Sequence, residues 1–119
     1  MEISAKLQLK PGQRLAAVTE TDAAPSITGE NIEPAGSPAT ADAVIAFVRT
    51  QAALDTVATP AIEAARADRL AWIAYPKARQ LDTDLNRDRL AAALVSRGVQ
   101  PVRQVSIDDT WSALRFRPA

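Results

Sequence analysis

The chain has 119 residues, 47% apolar and 24% charged, a composition that indicates one folded domain and is typical of a globular rather than a disordered chain. Its 14 basic and 14 acidic side chains cancel, so no net charge attracts a polyanion, and nucleic acid is not expected as a partner. Cysteine and histidine are absent, which excludes disulfides, thiolate nucleophiles, Ser-His-Asp triads and the usual zinc and iron ligands.

The amino-terminal residues 1–13 alternate polar and apolar side chains without a continuous apolar stretch. Neither a signal peptide nor a membrane span is therefore expected, and a cytoplasmic protein without membrane association is the prediction. The sequence also lacks a Walker-type glycine loop, and we expect no cofactor and no metal.

The first predicted strand spans residues 15–19, directly after a Pro-Gly turn signal. Proline and glycine are so frequent in residues 22–42 that no helix is expected there. At most, residues 26–28 are predicted to add a short edge strand. The continuous apolar run at residues 43–48 predicts a central strand that is buried on both faces of a parallel sheet.

Helical spacing of apolar residues follows at residues 50–67, but Pro60 interrupts it. Two short helical pieces are predicted, with Thr59 as the amino-terminal cap and Pro60 as the first residue of the second piece. A second apolar strand is predicted at residues 70–75, stopped by Pro76, which has no N–H to donate to a neighbouring strand.

The last third of the chain contains one further helix and two strands. The helix is predicted to start at a cap formed by Thr83 or Asp84 and to end near Arg97. The strands, at residues 102–107 and 111–116, are separated by a loop short enough for a hairpin, so the final strand is expected to run antiparallel.

This alternation of strands and helices predicts an α/β domain covering residues 1–119, with a small open, mainly parallel sheet and one antiparallel C-terminal hairpin strand. The order resembles the C-terminal half of a class I methyltransferase-like Rossmann fold, with the N-terminal half reduced. Residues 19–22 (TETD) follow the first strand where a methyltransferase needs a glycine-rich turn. Transfer of a methyl group from S-adenosylmethionine is therefore not expected.

Five segments together resemble an uncharacterised family of small bacterial proteins of unknown function. They are residues 9–13 (LKPGQ), 46–49 (AFVR), 72–77 (WIAYPK), 83–88 (TDLNRD) and 105–117 (VSIDDTWSALRFR). This resemblance implies kinship and a shared fold, and it implies no catalytic residue because the family has no assigned activity.

Ligands of open α/β sheets bind outside the carboxyl ends of the parallel strands, and the predicted topology brings several polar segments to that edge. The candidate ligand-binding residues there are Lys77, Asp84, Arg87, Asp109 and Trp111. Lysine and arginine would hold a carboxylate or phosphate, and the tryptophan would offer a stacking surface.

Each candidate also has a structural interpretation. Lys77 is better explained as a solvated lysine after a strand-ending proline, and Asp84 and Arg87 as part of the capping of a helix. Asp109 belongs to an Asp-Asp pair that is typical of a turn, and Trp111 is expected to pack in the core more readily than to line a crevice.

The second face of the sheet bears on oligomeric state. Right-handed crossovers place both main helices on one face, while the central strands, including Trp72 as a core residue, are apolar on both. The other face must be covered by the N-terminal segment, the 22–42 loop or another subunit, and a homodimer is the prediction. Arg115 and Arg117 share one strand face, opposite Leu114 and Phe116, and are predicted to form a solvated or partner-facing stripe.

Three functions remain open. The first is a non-catalytic binding or interaction module that holds a small anionic ligand or a protein partner at the carboxyl edge of the sheet. The second is a small enzyme that uses Lys77 with Asp84 or Asp109 as acid and base. The third is a structural subunit of a larger complex.

Overall fold

The computed structural model describes residues 6–10, 12–19, 33–34, 37–77 and 80–119. Within these residues, two α-helices lie on a sheet, and three short 3-10 helices occur at Pro38–Thr40, Gln51–Asp55 and Gln80–Asp82. The α-helices are α1 (Thr59–Arg66) and α2 (Arg87–Val95). The strands are β1 (Arg14–Thr19), β2 (Glu33–Pro34), β3 (Ala43–Phe47), β4 (Leu70–Pro76), β5 (Val99–Ser106) and β6 (Trp111–Pro118).

The strands form one open, mixed sheet in the order β2-β1-β3-β4-β6-β5. The pairs among β1, β2, β3 and β4 are parallel, whereas β6 lies antiparallel to both of its neighbours, β4 and β5. The predicted α/β class and the antiparallel hairpin strand are confirmed. The edge strand predicted at residues 26–28 lies outside the described residues, and the edge beside β1 is formed by the two residues of β2.

Strand β5 begins at Val99, three residues before the predicted start. The predicted start at residue 102 was wrong, since the strand includes Pro101. An edge strand tolerates proline, since its missing N–H can face outward, and the pairing of β5 with β6 shifts register between Pro101 and Arg103.

Residues 51–66 form two helical pieces, as predicted, but the cap of α1 is not Thr59. Ala58 already has helical dihedral angles, φ −83° and ψ −12°, and its carbonyl accepts a hydrogen bond from the Ile62 N–H at 2.9 Å. Thr59 is therefore the first helical residue, and its hydroxyl instead donates to the Asp55 carbonyl at 2.8 Å.

Both α-helices pack on the same face of the sheet, which confirms the placement expected from right-handed crossovers. The strands contribute Val44, Ala46, Ala71, Ile73, Tyr75, Leu114 and Phe116 to this core, and the helices contribute Ala61, Ile62, Ala64, Ala65, Leu90 and Leu94.

The opposite face is covered within the same chain by residues 6–9, which we call the N-terminal strap. The Leu7 side chain is completely buried, and the Leu7 carbonyl accepts a hydrogen bond from the Trp72 indole N–H at 2.9 Å. Around Leu7 lies a second apolar cluster that includes Ile45, Phe47 and Trp72. The predicted core position of Trp72 is confirmed. The homodimer stays a prediction, but an uncovered sheet face no longer supports it.

Replacing Leu7 by alanine tests the strap. We expect Leu7→Ala to lower the free energy of unfolding by about 2–5 kcal/mol, because a completely buried leucine leaves a cavity when it is truncated. Leu9→Ala is the matched control, since Leu9 is only partly buried and should cost less. Urea unfolding followed by tryptophan fluorescence measures both. Equal losses in the two variants would contradict a core role for the strap.

Candidate functional site

Lys77 follows β4 at the carboxyl edge of the sheet, where it meets the β5–β6 hairpin. Its backbone N–H donates to the Thr110 carbonyl at 2.7 Å, which ties the end of β4 to the hairpin turn. Its side-chain Nζ donates to the Ser106 hydroxyl at 2.7 Å, and the Lys6 Nζ donates to the Ser106 carbonyl at 3.0 Å. Two ammonium groups therefore meet at the last residue of β5.

Arg87, the first residue of α2, reaches the same strand. Its Nε donates to the Gln104 side-chain carbonyl at 2.9 Å, and the Gln104 Nε2 donates to the Tyr75 hydroxyl at 3.2 Å. Gln104 and Ser106 are two residues apart on β5, so both side chains lie on one face of the strand. We call Lys77, Arg87, Tyr75, Gln104 and Ser106 the hairpin cluster.

Tyr75 supplies a neutral hydroxyl beneath these two cations. Burial raises the pKa of the Tyr75 phenol above its usual value, while the nearby charge of Arg87 and a hydrogen bond with Ser112 partly offset this effect. Asp88 adds a smaller upward contribution. At neutral pH the phenol is protonated, so it can donate or accept a hydrogen bond but is not poised to act as a base.

The Tyr75 phenol gives a direct pH test. Its raised pKa means that the unfolded chain ionises first, so the stabilising contribution is complete below about pH 10 and is lost as the pH rises through the folded-state value. Since the chain has one tyrosine, phenolate absorbance near 295 nm reports this group alone. We expect the phenol of the folded chain to ionise at a higher pH than that of the urea-unfolded chain. In Tyr75→Phe, the free energy of unfolding should fall less steeply with pH above about pH 10. Coincident midpoints would contradict the burial argument.

Asp84 is not a cap of α2. The cap is Asn86, whose side-chain oxygen accepts from the Arg89 N–H at 2.8 Å, so the helix starts later than predicted and ends at Val95. The Asp84 carboxylate instead accepts the Gln51 N–H at 2.8 Å, across 33 residues of sequence. The Thr83 hydroxyl donates to the Arg49 carbonyl at 2.6 Å. Both side chains thus fasten the segment before α2 to the loop after β3.

We expect Asp84→Ala to cost about 1 kcal/mol of unfolding free energy, the usual penalty for losing a side-chain cap, because Gln51 begins the 3-10 helix that follows β3. Asp109→Ala is the matched control, since Asp109 is an exposed carboxylate in the hairpin turn. Thermal unfolding compares the two variants. A smaller effect at Asp84 than at Asp109 would show that this contact does not stabilise the fold.

The hairpin turn uses Asp108 structurally. Its Oδ1 accepts the N–H groups of Thr110 and Trp111 at 2.8 and 2.7 Å, an arrangement that closes the turn. Trp111 is 1% exposed and meets Phe47 edge to face, with ring centroids 5.2 Å apart. Its indole therefore packs in the second core cluster, as in the structural interpretation, and presents no open face for stacking.

A further cleft, which the sequence did not predict, lies beside α1 and has a volume of about 190 Å³. It is lined by Asp55, Thr59, Ile62, Glu63, Arg66 and Arg97. Arg97 forms an ion pair with Asp55 at 2.8 Å, and the Arg66 guanidinium donates to the Arg97 carbonyl. The two arginines fix the end of α2 against α1, and we assign them a structural role.

Sequence reasoning found Lys77 and Arg87 but missed Gln104 and Ser106. Lys77 and Arg87 follow from the carboxyl ends of the parallel strands, whereas Gln104 and Ser106 lie on the edge strand of the hairpin. Their alternation with Arg103 and Val105 places them on the helix-covered face and was the available signal. Of the remaining candidates, Asp84 and Trp111 have structural contacts, and Asp109 has no contact with Lys77 among the described residues.

No known protein family, curated protein or solved structure matches this chain. Within the described part of the chain, no group of three or more histidine, cysteine or acidic residues is arranged to hold a metal ion. No helix among these residues is long and apolar enough to cross a membrane.

Proposed function

We propose that the protein is a non-catalytic binding module that holds a small anionic ligand at the hairpin cluster. The observation that carries this proposal is the convergence of Lys77 and Arg87 on alternate residues of one strand. Lys77 contacts a neutral hydroxyl, and Arg87 contacts a neutral amide oxygen, at 2.7 and 2.9 Å. These bonds orient two cations and leave the Lys77 charge without a carboxylate partner in the described structure.

The charge balance at the cluster supports an anion as the ligand. The carboxylate in contact with it is Asp88, which lies 3.3 Å from Arg87 with a side chain that is 91% exposed. An ion pair so open to solvent binds weakly, and a ligand carboxylate or phosphate can replace it. The residue Tyr75 is only 4% exposed, and its hydroxyl provides a neutral hydrogen-bonding group at the base of the cluster.

The architecture supports the same location. We propose that the fold is a reduced Rossmann-like domain, because β1, β3 and β4 are parallel and both α-helices cover one face. In folds of that type, ligands bind beyond the carboxyl ends of the parallel strands, and Lys77 directly follows β4 there.

The enzyme alternative receives no support from these contacts. It requires Lys77 to work with Asp84 or Asp109, yet Asp84 binds the Gln51 N–H, and neither carboxylate contacts Lys77 within the described ranges. The raised pKa of Tyr75 also argues against a tyrosine base at neutral pH. A structural subunit of a larger complex remains an outcome of the test below.

Native mass spectrometry of gently purified protein, followed by titration with the small anion it retains, tests the proposal. We expect a discrete added mass in the unaltered chain and a loss of affinity of about tenfold or more in Lys77→Ala/Arg87→Ala, because two charge-assisted contacts disappear. Lys10→Ala/Arg89→Ala removes the same charge and should retain the ligand.

A bare chain that also fails to bind phosphate or small carboxylates would contradict the binding module and favour a structural subunit. Equal binding by the two double variants would place the ligand elsewhere. The same spectrum counts subunits and thereby tests the predicted homodimer. A cytoplasmic location completes the proposal.

A further inference from the structure

The opposite face of the β5–β6 hairpin carries a second pair of cations. Arg103 and Arg115 are direct cross-strand partners, so both side chains leave the sheet on the same face, with Cβ atoms about 5 Å apart. Like charges in this position repel each other and destabilise a hairpin. This pair therefore has a cost that the fold of the hairpin does not explain.

In the described part of the chain, no carboxylate forms an ion pair with Arg115. Its Nη1 donates to the side-chain oxygen of Gln8 at 2.6 Å, and its Nε is buried and has no hydrogen-bond partner among the described residues. A buried guanidinium nitrogen without an acceptor destabilises the fold, because the group has lost its hydration and forms no hydrogen bond in return. Arg103 is exposed, and its side chain contacts no carboxylate among the described residues.

Arg117 provides an internal comparison. It lies two residues after Arg115 on the same face of β6, and both its Nε and its Nη2 contact the Asp68 carboxylate, at 3.2 and 3.4 Å. The chain thus supplies an acid for one arginine of the stripe. At the adjacent position it places a second arginine, Arg103, across from Arg115.

We infer that Arg103 and Arg115 form an anion site for a phosphate group, separate from the hairpin cluster. Two guanidinium charges match a phosphate dianion, and their planar donor groups suit its oxygens. The neutral Gln8 side chain now occupies part of this position and is exposed, so it can turn aside when phosphate binds. A bound dianion would relieve the repulsion between the arginines and replace a neutral acceptor by a charged one.

The site is independent of the proposed function. Arg103 and Arg115 lie on the sheet face of the N-terminal strap, whereas Gln104 pairs with Leu114, whose side chain lies in the helix-covered core. Replacing Lys77 and Arg87 should therefore leave the arginine pair intact, and loss of one site need not affect the other.

The test is titration of the purified full chain with inorganic phosphate by calorimetry, with chloride at matched ionic strength as reference. Arg103→Gln should weaken binding at this site by about tenfold or more while the fold is kept, since Arg103 is exposed. Arg117→Gln, which loses an arginine already paired with Asp68, should bind as the unaltered chain does. Lys77→Ala/Arg87→Ala should retain binding at this site.

A positive control comes from Gln8→Glu. A carboxylate at this position would neutralise Arg115 from within the chain, so the variant should unfold at a higher temperature and lose phosphate binding at the pair. Equal phosphate affinity in the Arg103→Gln and Arg117→Gln variants would overturn the inference.

Discussion

Strands β3 and β4 require cover on both faces of the sheet, and the rest of the structure is arranged to provide it. Every residue of β3 is buried, as is every residue of β4 after Leu70. The helices satisfy one face in the manner usual for parallel sheets. The strap covers the other face, and it also provides a hydrogen-bond acceptor for a buried polar group. The Trp72 indole N–H is too deeply buried to reach water, and the Leu7 carbonyl is its acceptor.

The central strands could be predicted because their sequences are continuous apolar runs, a local signal that needs no knowledge of the tertiary structure. The N-terminal segment was one of three predicted covers of the second face, but the sequence could not select it, since the bonds from Gln8 and from Leu7 connect it to residues 107 and 65 positions away. The start of α2 was misplaced for a related reason. Thr83 and Asp84 are good capping residues, but both are used by distant backbone groups, which leaves Asn86 to cap the helix.

The functional residues also differ in whether local sequence or distant contacts determine their positions. Lys77 and Arg87 were accessible to prediction because topology alone places them at the carboxyl edge. Their partners Gln104 and Ser106 were not, since they depend on the register of β5 against β6 and on the shift near Pro101. Period-two alternation then gives one hairpin two chemically different faces, with Gln104 and Ser106 on one and Arg103 on the other. A register error of one residue would exchange them.

The interior position of β6 affects how the chain can fold as it leaves the ribosome. Among the described strands β6 is made last, yet it separates β4 from β5 and pairs with both. One edge of the apolar strand β4 therefore stays unpaired in the nascent chain until β6 emerges, and β5 has no strand to pair with before then. Translation at roughly 5–20 residues per second makes that interval seconds long at most. Completion of the sheet is consequently a late, nearly simultaneous event in which β5 and β6 enter as one hairpin.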